Sequence, residues 1–318
     1  MKAMGDRLEA EQLGRRKVTS LLVAAVLGLT ACGRKADEAY KPAYERRPSS
    51  DKGLIVHVLG VHPLHNPQHL FEVYGPLVAY LNARLKGVSI RLEASSSYAA
   101  FEEKIARREL HFCLANPYEA IASLTQGYHV FAKMADDQNF RGIILVRKDS
   151  GITRVEQLRG KIVSYPAPTA LAAAVMPQWF LFQHGIDVMH DLDNHYVGTQ
   201  ESSIMNVVLG KSVAGGTWPP PWKAFQREHP DLASQVEVRW QTPSLINNAL
   251  IARDDVAPEV VSGVRELLAT LHTDPEGPPI LARMDLSRFE PAANATYEPV
   301  RAFVQRFEAS VRPVKLKS

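Results

Sequence analysis

From Leu54 onward the chain alternates short apolar, β-branched runs with longer stretches whose apolar positions recur every three or four residues. The short runs are LIVHVLG (54–60), VSIRLEA (88–94), HFCLA (111–115), HVFAKM (129–134), GIILVR (142–147), KIVSYP (161–166), HYVG (195–198), AGGTW (214–218), VEVRWQ (236–241) and NNALIA (247–252). Each is short, rich in strand-forming residues and bounded by turn residues, so each predicts a strand. The longer stretches predict helices over Leu70–Lys86, Tyr98–Arg108, Tyr118–Gln126, Thr169–His184, Glu201–Leu209, Pro221–Glu228, Ala257–His272 and Tyr297–Ser310. Strands separated by helices of crossover length predict an α/β protein with mostly parallel sheets flanked by helices. There is no internal repeat.

Several helix starts are legible. Asn116-Pro117-Tyr118-Glu119 carries a capping residue, Pro at the first helical position and Glu at the third, the pattern of a capping box. Ser95–Ser97 precede Tyr98, and Thr199 precedes Gln200 and Glu201. The segment Lys161–Asp187 reads as an apolar strand running into a helix whose first turn is Pro168, Thr169, Ala170 and Leu171. The first N–H groups of a helix lack partners within it, and the macrodipole favours an anion there. An ordinary strand–helix unit with a Thr cap has the same spacing. In an open parallel sheet such starts share one edge, where ligands bind, so the starts near Tyr98, Tyr118, Thr169 and Gln200 should converge.

The amino-terminal residues follow a different pattern. Arg15, Arg16 and Lys17 precede an apolar run, Leu21–Leu29, ending in Leu-Thr-Ala-Cys-Gly at 29–33. The run is too short to span a bilayer and small residues precede Cys32, so 1–31 reads as a lipoprotein export signal with Cys32 the lipidated residue. Residues 32–52, charged and without apolar period, read as a tether. Removing five Lys/Arg and three Asp/Glu with the leader takes the formal charge from +3 to +1. A nearly neutral chain without a basic stripe excludes a nucleic-acid footprint. With Cys32 lipidated, Cys113 in HFCLA has no disulfide partner and reads as a small buried hydrophobe. No nucleophile elbow, phosphate-binding loop or cysteine–histidine signature is present, so no enzyme and no cofactor is expected.

Three charged or metal-ligating features carry alternatives. His62, His65 and His69 have the donor type of a zinc site, but Pro63 and Pro67 break the helix that would align them, and a solvated loop is expected. Arg141 either pairs with an oxyanion or, preferably, with Asp136 or Asp137. Glu201 in a helix first turn is explained by the dipole alone.

In order and spacing, NPQHLFEVYGPLVAYLNARL, SSSYAAFEEKI, LANPYEAI, RGIILVRKDSGI with VEQLRGKIVSYPAPTALAAAVMPQ, and TQESSIMNVVLGKSVAGGTW resemble the phosphate/phosphite/phosphonate substrate-binding proteins of ABC importers. The resemblance implies a two-lobed type II periplasmic binding fold with a two-strand hinge. Lobe one would be 53–140 plus 247–313 and lobe two 141–246. It implies Tyr98 and Tyr118 as hydroxyl donors, and Pro168, Thr169 and Ala170 as the anion cradle. Gln200 stands where the family commonly has a His. Thr217–Trp222 and Asn247–Asn248 are stretches that in aminoalkylphosphonate binders hold carboxylates; here they are uncharged, which argues for a small or apolar ligand tail. Trp218 and Trp222 either wall the pocket or hold a Pro-rich loop, and Asn248 completes the ligand-facing set.

The function so implied is capture of a small anionic ligand for an ABC permease by an exported monomer, anchored by lipid and facing the periplasm or cell exterior. The same fold would also serve as the ligand-sensing subunit of a signalling system. A metal-binding lipoprotein using the three histidines is the lesser alternative.

Overall fold

The computed structural model describes residues 53–315. The export leader, Cys32 and the tether lie outside the described residues. In chain order the elements are β1 (Ile55–Val61), α1 (Pro67–Arg84), β2 (Val88–Glu93), α2 (Tyr98–Ala106), β3 (Phe112–Ala115), α3 (Pro117–Ser123), β4 (Tyr128–Met134), β5 (Ile143–Arg147), β6 (Lys161–Tyr165), α4 (Met176–Gln183) and β7 (Leu192–Tyr196). There follow α5 (Gln200–Val208), β8 (Ala214–Thr217), α6 (Pro219–Glu228), α7 (Pro230–Ala233), β9 (Val236–Gln241), β10 (Ala249–Arg253), α8 (Pro258–Thr270), α9 (Gly277–Arg283), β11 (Phe289–Pro291) and α10 (Glu298–Ser310). The short elements α7, α9 and β11 escape the sequence reading because runs of three to seven residues, interrupted or bounded by Pro, carry no full period.

The strands form two sheets, with orders β11-β4-β10-β3-β1-β2 and β7-β6-β8-β5-β9. Each has a parallel core: β1 pairs in parallel with β2 and β3, and β6 with β7 and β8. Both sheets are mixed rather than mostly parallel. β10 is antiparallel to β3 and β4, β11 to β4, and β5 to β8 and β9. The physical reason lies in the crossovers. β5 and β10 each enter their sheet directly from the other lobe, so they start at the edge where the neighbouring parallel strands end.

The chain changes lobe through segments 135–142 and 242–248, which run side by side. The Thr242 N–H donates to the Gly142 carbonyl at 2.9 Å, the Gly142 N–H to Thr242 Oγ1 at 2.9 Å, and the Leu245 N–H to the Phe140 carbonyl at 2.9 Å. The Asn247 side chain donates to the Ala135 carbonyl at 2.7 Å. Two hydrogen-bonded strands of chain are the narrow connection about which lobes of this kind bend.

Local sequence explains the approach to the cleft after β6. The helix expected from Thr169 begins at Leu171 as a wide π turn, Leu171–Val175, before α4. Pro177 has no N–H and its ring excludes the carbonyl four residues back, that of Ala173, so the turn opens. The displaced carbonyls press on two glycines. A Cβ on Gly216 would lie 2.1 Å from the Ala173 oxygen and 2.8 Å from the Tyr165 ring, and one on Gly142 would lie 2.6 Å from the Ala172 oxygen. Gly142 lies in the first connecting segment and Gly216 in β8, the central strand of the second sheet, and any side chain at either would push the turn out of place.

Gly216→Ala should therefore cost about 1 to 3 kcal/mol, the usual range for overpacking. Denaturant unfolding checks this, and a midpoint equal to that of the native chain would contradict the proposed contact.

Candidate functional site

The strand ends and helix starts named from the sequence meet between the lobes. α2 starts at Tyr98 because Ser97 Oγ caps the Ala100 N–H at 3.2 Å. Tyr98 and Glu102 then project one turn apart from the same face. The Tyr98 oxygen accepts from Gln200 Nε2 at 3.0 Å, and Gln200 Oε1 accepts from the Thr217 hydroxyl at 2.8 Å. Gln200 sits in the first turn of α5, capped by Thr199. This buried chain joins α2 of one lobe to α5 and β8 of the other.

The second meeting point is the Thr169 turn. Thr169 is buried, its hydroxyl donating to Glu102 Oε1 at 2.5 Å while its carbonyl accepts from Asn116 Nδ2 at 3.4 Å. Asn116 caps α3 as the sequence predicts: its side chain accepts from the Tyr118 and Glu119 N–H groups, and Glu119 Oε2 accepts from the Asn116 N–H at 2.9 Å. Tyr118 is half-buried and lines, with Glu102, Glu119 and Lys315, a groove of about 310 Å³ between α2 and α3.

Several expectations change at this point. The Ala170 N–H donates to the Ala167 carbonyl at 3.2 Å and is therefore not part of a cradle. The first bond of the helix runs from Ala174 to Ala170, so the amides with no helical acceptor are those of Leu171, Ala172 and Ala173. The Thr169 proton is committed to Glu102, so this hydroxyl presents lone pairs rather than a donor. The site is bordered by carboxylates after all, since Glu102 and Glu119 arrive from α2 and α3. Trp218 is buried against Phe140, ring centroids 5.4 Å apart, next to the hinge, and Trp222 stacks on Phe225 in the core of the second lobe. Arg141 pairs with neither Asp136 nor Asp137: it donates to the Gln138 carbonyl and to Gln241 Oε1, while Asp137 is taken by Lys133 at 2.9 Å.

The histidines are not a solvated loop. His62 is buried at the end of β1, its ring 6.0 Å from that of Tyr98, while His69 lies 3.3 Å from Glu228 across the cleft. Asn66 Nδ2 reaches Glu201 Oε2 at 3.3 Å, so Glu201 bridges the lobes besides capping a dipole. Among the described residues no three His, Cys, Asp or Glu side chains are grouped to hold a metal ion. Cys113 is buried and unpaired.

Arg312 is a participant that the sequence did not reveal. It follows α10, in a stretch without periodicity, yet it is buried, and its Nη2 donates to the Pro168 carbonyl at 3.0 Å and its Nε to Gln178 Oε1 at 2.8 Å. Its remaining partners are the Pro313 and Val314 carbonyls. All four acceptors are neutral, so a positive charge lies beneath the Thr169 turn. Burial lowers the Arg312 pKa, yet a guanidinium has so high a starting value that it stays charged.

Desolvation dominates the titration of the other groups. Burial raises the Glu119 carboxyl well above the usual carboxylate range, outweighing its capping hydrogen bond, and raises Glu102 against the opposing pull of Thr169 and Lys315. The Tyr118 phenol is pushed up to about 12 by burial, and His62 is pushed down to about 3. Five polar atoms near these strand ends are buried without a protein partner: both nitrogens of His62, Glu119 Oε1, the Tyr165 hydroxyl and Asn248 Oδ1. They come from the ends of β1, β3 and β6 and the start of β10.

Two mixed α/β sheets, joined by a two-segment hinge and facing each other across buried polar groups, define the class of two-lobed periplasmic binding proteins. A family model described as ABC transporter, phosphonate, periplasmic substrate-binding protein matches residues 59–297, and the chain belongs to that family of non-enzymatic binding proteins. Among curated proteins it is 23% identical over 135 residues to the probable ABC transporter phosphite binding protein PhnD1 of Prochlorococcus marinus (strain MIT 9301). That stretch covers 40% of this chain and 46% of PhnD1, about half the length of the curated relative. Among solved structures, a binding protein component of an ABC phosphonate transporter from Pseudomonas aeruginosa superposes with TM-score 0.75 at 15% identity, over 81% of this chain and 88% of that one. PhnD1 in complex with methylphosphonate superposes with TM-score 0.72 at 18% identity, over 80% and 98%. At such identities the superpositions establish the fold.

His62 offers a test by pH. Its folded pKa, about 3, lies below the ordinary 6.5, so the unfolded chain binds a proton that the folded chain refuses. Its neutral form therefore stabilises the fold fully above pH 6.5, and that contribution is lost as pH falls toward 3. Denaturant midpoints at pH 7 and 4.5 should fall further in the native chain than in His62→Phe. Equal falls would show that His62 does not titrate in this way.

Proposed function

We propose that the lobes close on a phosphorus oxyanion, either phosphate, phosphite or a small phosphonate, and deliver it to the membrane permease of an ABC importer. The lobes are taken as 53–140 with 247–313, and 141–246. Cys32 carries the lipid that holds the exported chain to a membrane on the periplasmic or outer side. The observation that supports this most is the set of buried, unpartnered polar groups contributed by both lobes, which a native fold rarely leaves unsatisfied without a ligand or water to complete them.

The donors suit an oxyanion. With the Gln200 amide oriented as in the structure, the Tyr98 oxygen already accepts a hydrogen bond, so its own proton is left to donate. The Tyr165 hydroxyl and the amides of Leu171–Ala173 are further donors, and the uncompensated Arg312 charge lies behind the turn. Tyr118 borders the groove beside Glu102, and Asn248 offers a buried acceptor. Closure removes water, and each hydrogen bond to a charged group is then worth about 1.5 to 3 kcal/mol.

Titration calorimetry with phosphate, phosphite and methylphosphonate on ligand-stripped protein tests the reading. At least one should bind, and three flat traces would refute it. Tyr98→Phe should weaken capture by about ten- to a hundredfold, the equivalent of one such bond. Gln200→Glu should weaken it similarly, because a carboxylate draws the Tyr98 proton away from the ligand. Unchanged affinity in both variants would remove the Thr217–Gln200–Tyr98 relay from the site.

A further inference from the structure

The Thr169 turn meets a carboxylate of its own protein. Glu102, from the opposite lobe, accepts the Thr169 hydroxyl proton at 2.5 Å. A hydroxyl whose proton is committed presents only acceptor lone pairs to anything lying against the turn. A bare oxyanion, which also offers only acceptors, meets repulsion at that point and the negative charge of Glu102 behind it. An oxyanion that keeps one P–OH completes the row: P–OH to Thr169 Oγ1, and Thr169 to Glu102.

We propose that Glu102 makes this site take its oxyanion together with one proton, so that singly protonated phosphorus oxyanions are accepted and fully ionised oxyanions are not. The inference rests on the reading that the site binds phosphorus oxyanions, and it deepens that reading by naming the accepted charge state. Above the ligand's second ionisation, the free dianion and a proton from solvent enter together. The proton resides on the ligand oxygen facing Thr169 or, by transfer along the row, on Glu102. No bond other than O–H is made or broken.

The groups around Glu102 fit this role. Tyr98 lies one turn back on α2, Tyr118 and Glu119 face it from α3, and Lys315 Nζ of the carboxy-terminal segment lies 3.9 Å from Glu102 Oε2. Arg312 holds the adjacent Pro168 carbonyl from the far side of the turn. Burial raises the Glu102 pKa, so this carboxyl retains a proton more readily than an exposed one. Lys315 is largely exposed, so its pull on Glu102 is screened by solvent and is outweighed by burial. A second negative charge about 6 Å from Glu102, at an effective dielectric of about 20, would weaken binding roughly a hundredfold.

Phosphorus oxyanions take up or lose their second proton near neutral pH, about 6 for a phosphate monoester, so the effect is measurable in stable conditions. Calorimetry with methylphosphonate above its second ionisation, in buffers of different ionisation enthalpy, should give an uptake of one proton per ligand in the native protein. The affinity should fall tenfold per pH unit there. In Glu102→Gln, uptake should drop to near zero, the pH profile should flatten, and sulfate, which has no proton to give, should bind at least tenfold tighter than to the native protein. Zero proton uptake by the native protein overturns the inference even if the variant does not fold, and so does a variant whose profile and sulfate affinity match the native ones. Failure of both proteins to bind methylphosphonate, phosphite or phosphate at any pH between 5 and 9 would instead remove the oxyanion reading itself, and this inference with it.

Discussion

The seam between the lobes is governed by the cost of burying polar groups. A hydroxyl, amide or carboxyl taken out of water without a partner costs on the order of 1 to 3 kcal/mol. At the strand ends this protein meets that cost by pairing groups across the cleft: Tyr98 with Gln200, Thr169 with Glu102, Asn116 with the Thr169 carbonyl. No one lobe satisfies these side chains alone. The same bonds that lower the energy of the closed arrangement therefore fix which atoms retain a donor or an acceptor for anything bound there.

The arrangement depends on backbone shape as much as on charge. Pro177 denies α4 a regular first turn, and the resulting π turn, Leu171–Val175, follows Ala170 and is built largely of small buried residues, Ala172, Ala173 and Ala174. That wider turn is tolerated because Gly142 and Gly216 leave room for its carbonyls. A proline in one segment and glycines in two others thus act as a single steric unit, with the hinge segment at one side and β8 at the other.

Electrostatically the seam is a balance. The buried Arg312, bonded only to neutral oxygens, supplies a positive charge behind the turn, while Glu102 and Glu119 supply carboxyl groups from the facing lobe. Desolvation works on both kinds of group in opposite directions. It cannot discharge a guanidinium, but it raises carboxyl pKa values toward the neutral acid. On the proposed reading, the Arg312 charge draws an anion toward the turn, and the commitment of the Thr169 proton to Glu102 favours one that still carries a proton.

Much of this was legible in the chain itself. The alternation of strand and helix, the capping box at Asn116, the caps at Ser97 and Thr199, and the buried Cys113 follow from local rules of spacing and hydrogen bonding. The order of motifs also pointed to the family that the matched residues 59–297 establish. What the spacing did not contain is who stands opposite whom. The commitment of Thr169 to Glu102, the loss of the Ala170 amide to Ala167, the antiparallel entry of β5 and β10, and the arrival of Arg312 beneath Pro168 each join residues from distant parts of the chain or depend on the exact path of a turn. Local sequence sets what a segment can form, because dihedral preferences and caps act over a few residues. The partner of a buried polar group is chosen only when the lobes are packed, because that choice minimises unsatisfied hydrogen bonds over the whole seam at once.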